Sequence, residues 1–265
     1  MKKKLFICSD IHGYYKEMKR ALDEAGYDEN NNNHLLIIAG DLFDRGTDSL
    51  AVYEYLKGLV DKGKAIVLRG NHEKFFIDFL QGSVSPFNYL HNGTNETIAD
   101  FWHRTAPFES WCALEGNCEL TQESYVKWVD ICVADIKEEY PELLDWLKSL
   151  PRYYETKNYI ITHGAIDTKV DDWHNPHCFR YDLIDWDALD FNDGSFFGEP
   201  IKNTDKTVVI GHFGTRFLRE KYGYPLDEGK EDDILIRDDG KVIAIDTTTV
   251  LTHKINVLVV EDELL

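Results

Sequence analysis

Eight residues carry the chemistry that this sequence offers: Asp10, His12, Asp41, Asp44, Asn71, His72, His163 and His212. They fall just after five short apolar runs, at 5–9, 35–39, 65–68, 159–162 and 207–210. Singly, an Asp there is an ordinary helix N-cap and a His an ordinary loop residue. Together, carboxylate oxygens and imidazole nitrogens at five successive strand ends form a donor set that suits Zn, Fe or Mn better than Ca or Mg alone. Asp10, His12, Asp41, Asn71, His163 and His212 are too many donors for one tetrahedral ion. They suit two neighbouring ions that share a carboxylate. Two ions about 3.5–4 Å apart are a recurrent means of driving water onto phosphorus.

The elements needed to position these residues can be read from apolar periodicity. Runs 5–9, 35–39 and 65–68 read as buried strands, alternating with helices at 14–25, 49–60 and 73–80. The resulting β-α-β-α-β-α order predicts a parallel, helix-covered sheet, with ligands beyond the carboxyl ends of its strands. Residues 83–150 are rich in aromatics and read as helical pieces, an insertion or cap. Strands return at 159–162 and 207–210. Residues 234–237 and 241–245 form a predicted hairpin about Asp239-Gly240, and 255–260 is the last strand.

Five motifs carry a family resemblance: Asp10-Ile11-His12, Gly40-Asp41-Leu42-Phe43-Asp44-Arg45-Gly46, Leu68-Arg69-Gly70-Asn71-His72-Glu73, His163-Gly164 and Gly211-His212. In this order they resemble the calcineurin-like metallophosphoesterases, and the second and third resemble the phosphoprotein phosphatase branch. That likeness implies an α/β fold, a metallophosphoesterase-type β-sandwich flanked by helices with a helical insertion, as one domain over 1–265. It implies two divalent or transition metal ions, with Mn expected and Fe or Zn as alternatives. Asp10 and His12 would bind the first ion and Asn71, His163 and His212 the second, with Asp41 bridging. A hydroxide held between the ions would attack phosphorus. His72 would protonate the leaving oxygen, Asp44 would orient His72, and Arg45 would clamp phosphate. Arg69 and Arg180 are further candidates for phosphate contact.

The leading expectation is a bacterial or phage-type serine/threonine protein phosphatase acting on phosphomonoesters. The alternative is a hydrolase of dinucleoside polyphosphates, of the diadenosine tetraphosphate type, or of another small phosphoester. A non-catalytic scaffold is disfavoured because all six candidate ligands and His72 are kept. Phe213-Gly214-Thr215 and Asp246-Thr247-Thr248 depart from many relatives, and Asn92-Gly93 with Thr97 resembles a turn of phage and bacterial protein phosphatases. His34, His91, His103, His174, His177 and His253 read as loop or surface residues. The net charge of −19 argues against nucleic-acid and membrane partners and leaves a phosphorylated protein or small phosphoester as substrate. Five cysteines without a C-x-x-C pair, and a start lacking a signal-type apolar run, point to the cytoplasm.

Overall fold

A computed structural model describes residues 2–83, 91–102, 121–167, 170–174 and 195–265. Strands β1 (Lys2–Cys8), β2 (His34–Ile38) and β3 (Ala65–Val67) run parallel, in sheet order β3-β2-β1-β9. The last of these, β9 (Leu258–Glu263), is antiparallel to β1. A second sheet has the order β4-β5-β6-β8-β7. It comprises β4 (Tyr153–Glu155), β5 (Tyr159–Thr162), β6 (Thr207–Ile210), β7 (Leu235–Ile236) and β8 (Val242–Ala244). Its three central strands are parallel, and each edge strand is antiparallel to its neighbour.

The strands are apolar on both faces because each sheet is covered twice. Leu5, Ile7, Leu35 and Ile37 pack against Ile161, Val209 and Ile243, and this layer is the core of a β-sandwich. The alternate residues Phe6, Cys8, Leu36 and Ile38 face a helical layer. That layer contains α1 (Tyr15–Glu24), α2 (Ser49–Asp61), α3 (Asn71–Leu80), α4 (Thr94–Trp102), α5 (Gln122–Glu139) and α6 (Leu143–Ser149). On the far side, Ile160, Val208, Val242 and Ala244 pack with Phe197 and with Leu218 of α7 (Thr215–Tyr222). A short α8 spans Thr249–Thr252. The β-sandwich flanked by helices that the resemblance implies is the fold observed, and β1, β2 and β3 are parallel as the alternation predicts; what the alternation alone missed is that helices cover one face of this sheet and the second sheet covers the other. Runs apolar on every residue fit both arrangements, so periodicity could not separate them.

The first and last strands depart furthest from expectation at their ends. The lysines before residue 5 belong to β1, and β9 begins three residues late and ends in acids. Lys2, Lys3 and Lys4 lie opposite Glu263, Asp262 and Glu261, so opposite charges face each other across the pair. Among the described residues no helix is long and apolar enough to cross a membrane. Cys8 and Cys132 are buried free thiols, while Cys112, Cys118 and Cys178 lie outside the described residues.

Asp262 fastens the two sheets together. Its carboxylate, on β9, accepts from Thr156 Oγ1 at 2.6 Å, from Asn158 N at 2.8 Å and from Asn158 Nδ2 at 2.6 Å. Burial opposes its charge, but these donors hold the carboxyl below its usual range. The stabilisation is thus complete above the unfolded pKa of about 3.9 and is lost as pH falls through the lower folded value. Asp262→Ala is expected to cost roughly 2–3 kcal/mol at neutral pH, since hydrogen bonds to a charged group are the stronger kind. Urea denaturation at pH 7 and pH 3 checks this, with the difference between parent and variant shrinking at the lower pH.

Candidate active site

The strand ends turn sharply, and they do so at the residues that could do chemistry. Asp10, His12, Asp41, Asp44, Arg45 and His212 have φ of 55°, 50°, 57°, 72°, 73° and 61°. This left-handed region is costly for side-chain-bearing residues and persists only where the surroundings over-determine it. Here backbone bonds between adjacent strand ends do so. Asp10 N–H donates to Gly40 O at 3.1 Å, His12 N–H to Asp41 O at 3.0 Å, and Gly211 N–H to His163 O at 2.8 Å. Gly70 is required by closeness: a Cβ there would lie 2.2 Å from Asp41 Oδ1.

These turns gather the donors around one oxygen. Asp41 Oδ2 lies 3.2 Å from His163 Nε2 and 3.8 Å from the Nε2 of both His12 and His72. His163 Nε2 is also 3.0 Å from Asn71 Oδ1 and 3.1 Å from His212 Nδ1. Asp10 Oδ1 lies 3.9 Å from His12 Nε2, while its Oδ2 accepts from His212 N–H at 2.9 Å. Two clusters thus share Asp41: His12, Asp41 and His72 in one, and Asp41, His163 and His212 in the other. His12 Nδ1 is committed to Phe43 O at 2.9 Å and His163 Nδ1 to Ala39 O at 2.8 Å. Each therefore donates from Nδ1 and turns Nε2 into the centre, where a bound cation would take the place of any proton that His163 carries on Nε2 beside Asp41.

His72, in the first turn of α3, differs from its neighbours. Its Nδ1 meets Asp44 Oδ2 at 2.7 Å, a carboxylate with no exposed surface. Its Nε2 lies 3.5 Å from Arg45 Nη2, and Arg45 Nη1 is 3.2 Å from His12 Nε2. An imidazole held by a carboxylate on one nitrogen, with the other facing an arginine and the donor cluster, can move a proton to or from a bound group.

The electrostatics fit a site short of positive charge. Burial lifts the Asp10 carboxyl above its usual range. Burial and repulsion from Asp41 lift Glu73 to about 7, and burial and repulsion from Asp10 raise Asp246 well above normal. Burial opposes charge on Asp41 too, but His163 and His72 keep it well below its usual range. Conversely, burial would neutralise His163, yet Asp41 raises it to about 10, while burial and His163 push His212 down to about 3. Divalent cations among these carboxylates would relieve the repulsion, so the residues present fit a dinuclear metal centre.

Sequence reasoning gave Glu73 no role. It accepts from Asp41 N at 2.9 Å, Leu42 N at 2.7 Å and Gly70 N at 2.7 Å, tying two strand ends together. Its place three residues after Gly70, a capping position, was the available signal. Arg69 is half-buried at the end of β3, where its backbone N–H donates to Pro151 O at 2.8 Å. Arg180 lies outside the described residues, as do His103 and His177. His174 is exposed and bonded to Asp172 and Glu155.

Asp41→Asn is expected to empty both clusters, and Gly70→Ala to weaken both by pressing a methyl group on Asp41. Elemental analysis should show about two ions per chain in the parent and close to none in Asp41→Asn. In His72→Asn the metal content should stay at the parent level. Loss of one ion from that variant would instead make His72 a ligand.

Residues 3–180 match the family described as Calcineurin-like phosphoesterase. The symmetrical bis(5'-nucleosyl)-tetraphosphatase of Proteus mirabilis (strain HI4320) is 35% identical over 194 residues, covering 61% of this chain and 70% of that protein. The asymmetrical bis(5'-nucleosyl)-tetraphosphatase PrpE of Bacillus subtilis (strain 168) is 35% identical over 100 residues. That match covers 36% of this chain and only 40% of the relative's own length. A solved protein serine/threonine phosphatase from Saccharomyces cerevisiae is 14% identical, with a TM-score of 0.52 over 99% of this chain and 80% of that one, a likeness of fold. The family match runs through four of the five strand ends that meet around Asp41, and the chain belongs to the calcineurin-like phosphoesterases.

Proposed function

We propose that this chain is a dinuclear-metal hydrolase of dinucleoside polyphosphates. The observation that carries the reading is the meeting, at one buried edge, of the Asp41 donor set, the His72–Asp44 pair and Arg45. The choice of substrate draws its support from relatives at 35% identity that are named bis(5'-nucleosyl)-tetraphosphatases. This reverses the order suggested by the motifs alone. A serine/threonine protein phosphatase becomes the second reading, because a likeness of 14% identity speaks for the fold only.

In this reading Asp10, His12 and Asp41 would hold one ion, and Asp41, Asn71, His163 and His212 the other, with Mn expected and Fe or Zn as alternatives. Such a pair supplies Lewis acidity and an activated water. Arg45 receives phosphate oxygens in its guanidinium fork, beside the donor cluster. Arg69 and Arg180 remain candidates for further phosphate contact. His72 Nε2 hands a proton to the departing oxygen while Asp44 fixes its ring. A nucleotide phosphate is a good leaving group, whereas a serine alkoxide needs that proton. One catalytic domain over 1–265, with 83–150 as a helical cap, a cytoplasmic setting and the absence of nucleic-acid or membrane partners are parts of the same proposal.

A substrate panel tests it. The Mn-loaded protein should hydrolyse diadenosine tetraphosphate with a kcat/KM at least about 10²-fold above that for phosphoserine peptides. Chelation should abolish the activity and added Mn²⁺ restore it. Two ADP would mark symmetrical cleavage, and AMP with ATP asymmetrical cleavage. A preference for the phosphopeptides would restore the protein phosphatase reading.

His72→Asn should reduce kcat by about 10²- to 10⁴-fold on an alkyl phosphate, the usual range for general acid catalysis, and by less on the dinucleotide. Equal losses on both would argue against proton donation.

A further inference from the structure

Helix α4 lies outside the five motifs, yet its first turn grips the residues at the centre of one of them. Thr97 Oγ1 donates to Asp44 Oδ1 at 2.8 Å, and Thr94 Oγ1 donates to Asp44 Oδ2 at 3.1 Å. Asp44 N–H in turn donates to Thr97 Oγ1 at 2.8 Å. The residue before the helix takes part as well: Arg45 N–H donates to Gly93 O at 3.2 Å. Gly93 has φ of 80°, and a Cβ there would lie 2.7 Å from Arg45 N, so only glycine allows this approach. Asp44 and Arg45 are consecutive left-handed residues, φ 72° and 73°, and such a pair needs outside support. The helix is itself anchored, through Leu50 N–H donating to Asp100 Oδ2 at 2.7 Å and through Thr97 Oγ1 within 3.4 Å of Ser49 Oγ.

We propose that the first turn of α4 is a positioning element for the proton donor and the phosphate-binding arginine. Thr97 and Thr94 act through Asp44 on His72, and the Gly93 carbonyl fixes the backbone of Arg45. The proposal rests on the roles given above to His72 and Arg45. Asp44 is fully buried, and its carboxylate only accepts. Two hydroxyls and the His72 N–H occupy both oxygens and stop the group from turning. Without Thr97, Oδ1 keeps buried lone pairs unsatisfied, the carboxylate is free to rotate towards other donors, and the His72 ring loses its fixed bearing.

The test uses full-length Mn-loaded protein carrying Thr97→Val, Thr97→Ser or Thr94→Val. Valine keeps the shape of threonine and removes the hydroxyl; serine keeps the hydroxyl. The substrates are an alkyl phosphate, whose leaving group needs a proton, and an aryl phosphate, whose leaving group scarcely does. Thr97→Val should lower kcat on the alkyl phosphate by about 10- to 100-fold, the usual scale for an outer hydrogen-bonded partner. On the aryl phosphate the loss should be less than about threefold, and Thr97→Ser should recover most of both rates. Proton NMR of the same proteins loaded with diamagnetic Zn²⁺, in place of Mn²⁺ whose unpaired electrons would broaden nearby proton signals away, supplies a readout independent of turnover. The downfield Nδ1–H resonance of His72, assigned by its absence in His72→Asn, should vanish in Thr97→Val and persist in Thr97→Ser.

If Thr97→Val does not fold, Thr94→Val carries the same expectations on the oxygen that His72 shares. Equal losses on both substrates with the resonance retained, or parental behaviour of both valine variants, would overturn the proposal. Failure of the parent to cleave any phosphoester would instead sink the hydrolase reading, and the resonance would still report whether α4 holds the pair.

Discussion

Asp41 Oδ2 has imidazole nitrogens at 3.2 and 3.8 Å, and those imidazoles come from both sheets. His12 and His72 follow β1 and β3, whereas His163 follows β5. One oxygen is therefore the point at which two halves of a sandwich must agree. Left-handed turns at Asp10, His12, Asp41 and His212 aim the side chains, cross-strand backbone bonds hold the turns, and Glu73 accepts from three backbone N–H groups beneath them. Among the described residues, six of the eight non-glycine residues with positive φ lie at these strand ends, as expected of a preorganised site.

The helices after α3 serve more than packing. They fill the outer core with Phe101, Trp128 and Trp146, and they also send Thr94 and Thr97 to a carboxylate beside the reacting edge. Arrangement of the donor cluster thus falls to the sheets, and arrangement of the His72–Asp44 pair falls partly to a segment inserted between them. A change in α4 would therefore reach the His72–Asp44 pair without touching the donor cluster.

Much of this was legible in the sequence, for a physical reason. Metal donors at strand ends are short-range signals, readable as Asp10-Ile11-His12 or Asn71-His72 without knowing any contact. The sandwich was harder, because Leu5, Phe6, Ile7 and Cys8 are apolar on both faces whether helices or a second sheet cover them. The charged ends of β1 and β9 escaped a rule based on apolar runs, since their partner is more than two hundred positions away. Glu73 and Thr97 were visible as residues and silent as functions: their partners are backbone N–H groups and a carboxylate brought close only by the fold. Substrate choice was least legible, because donors for two ions indicate chemistry at phosphorus and carry nothing about the group attached to it.

The apolar layer between the sheets has a further consequence. Ile7 and Ile37 on one side and Ile161 and Val209 on the other determine how far apart the two halves of the donor set stand. That layer works as a spacer gauge. Protein interiors are close-packed, so a methylene added or removed there is felt as a displacement. A displacement of a few tenths of an ångström is as large as the difference in preferred bond lengths between one divalent ion and another. For the dinuclear centre proposed above, part of the fit of the ions would thus be set by residues that never touch them.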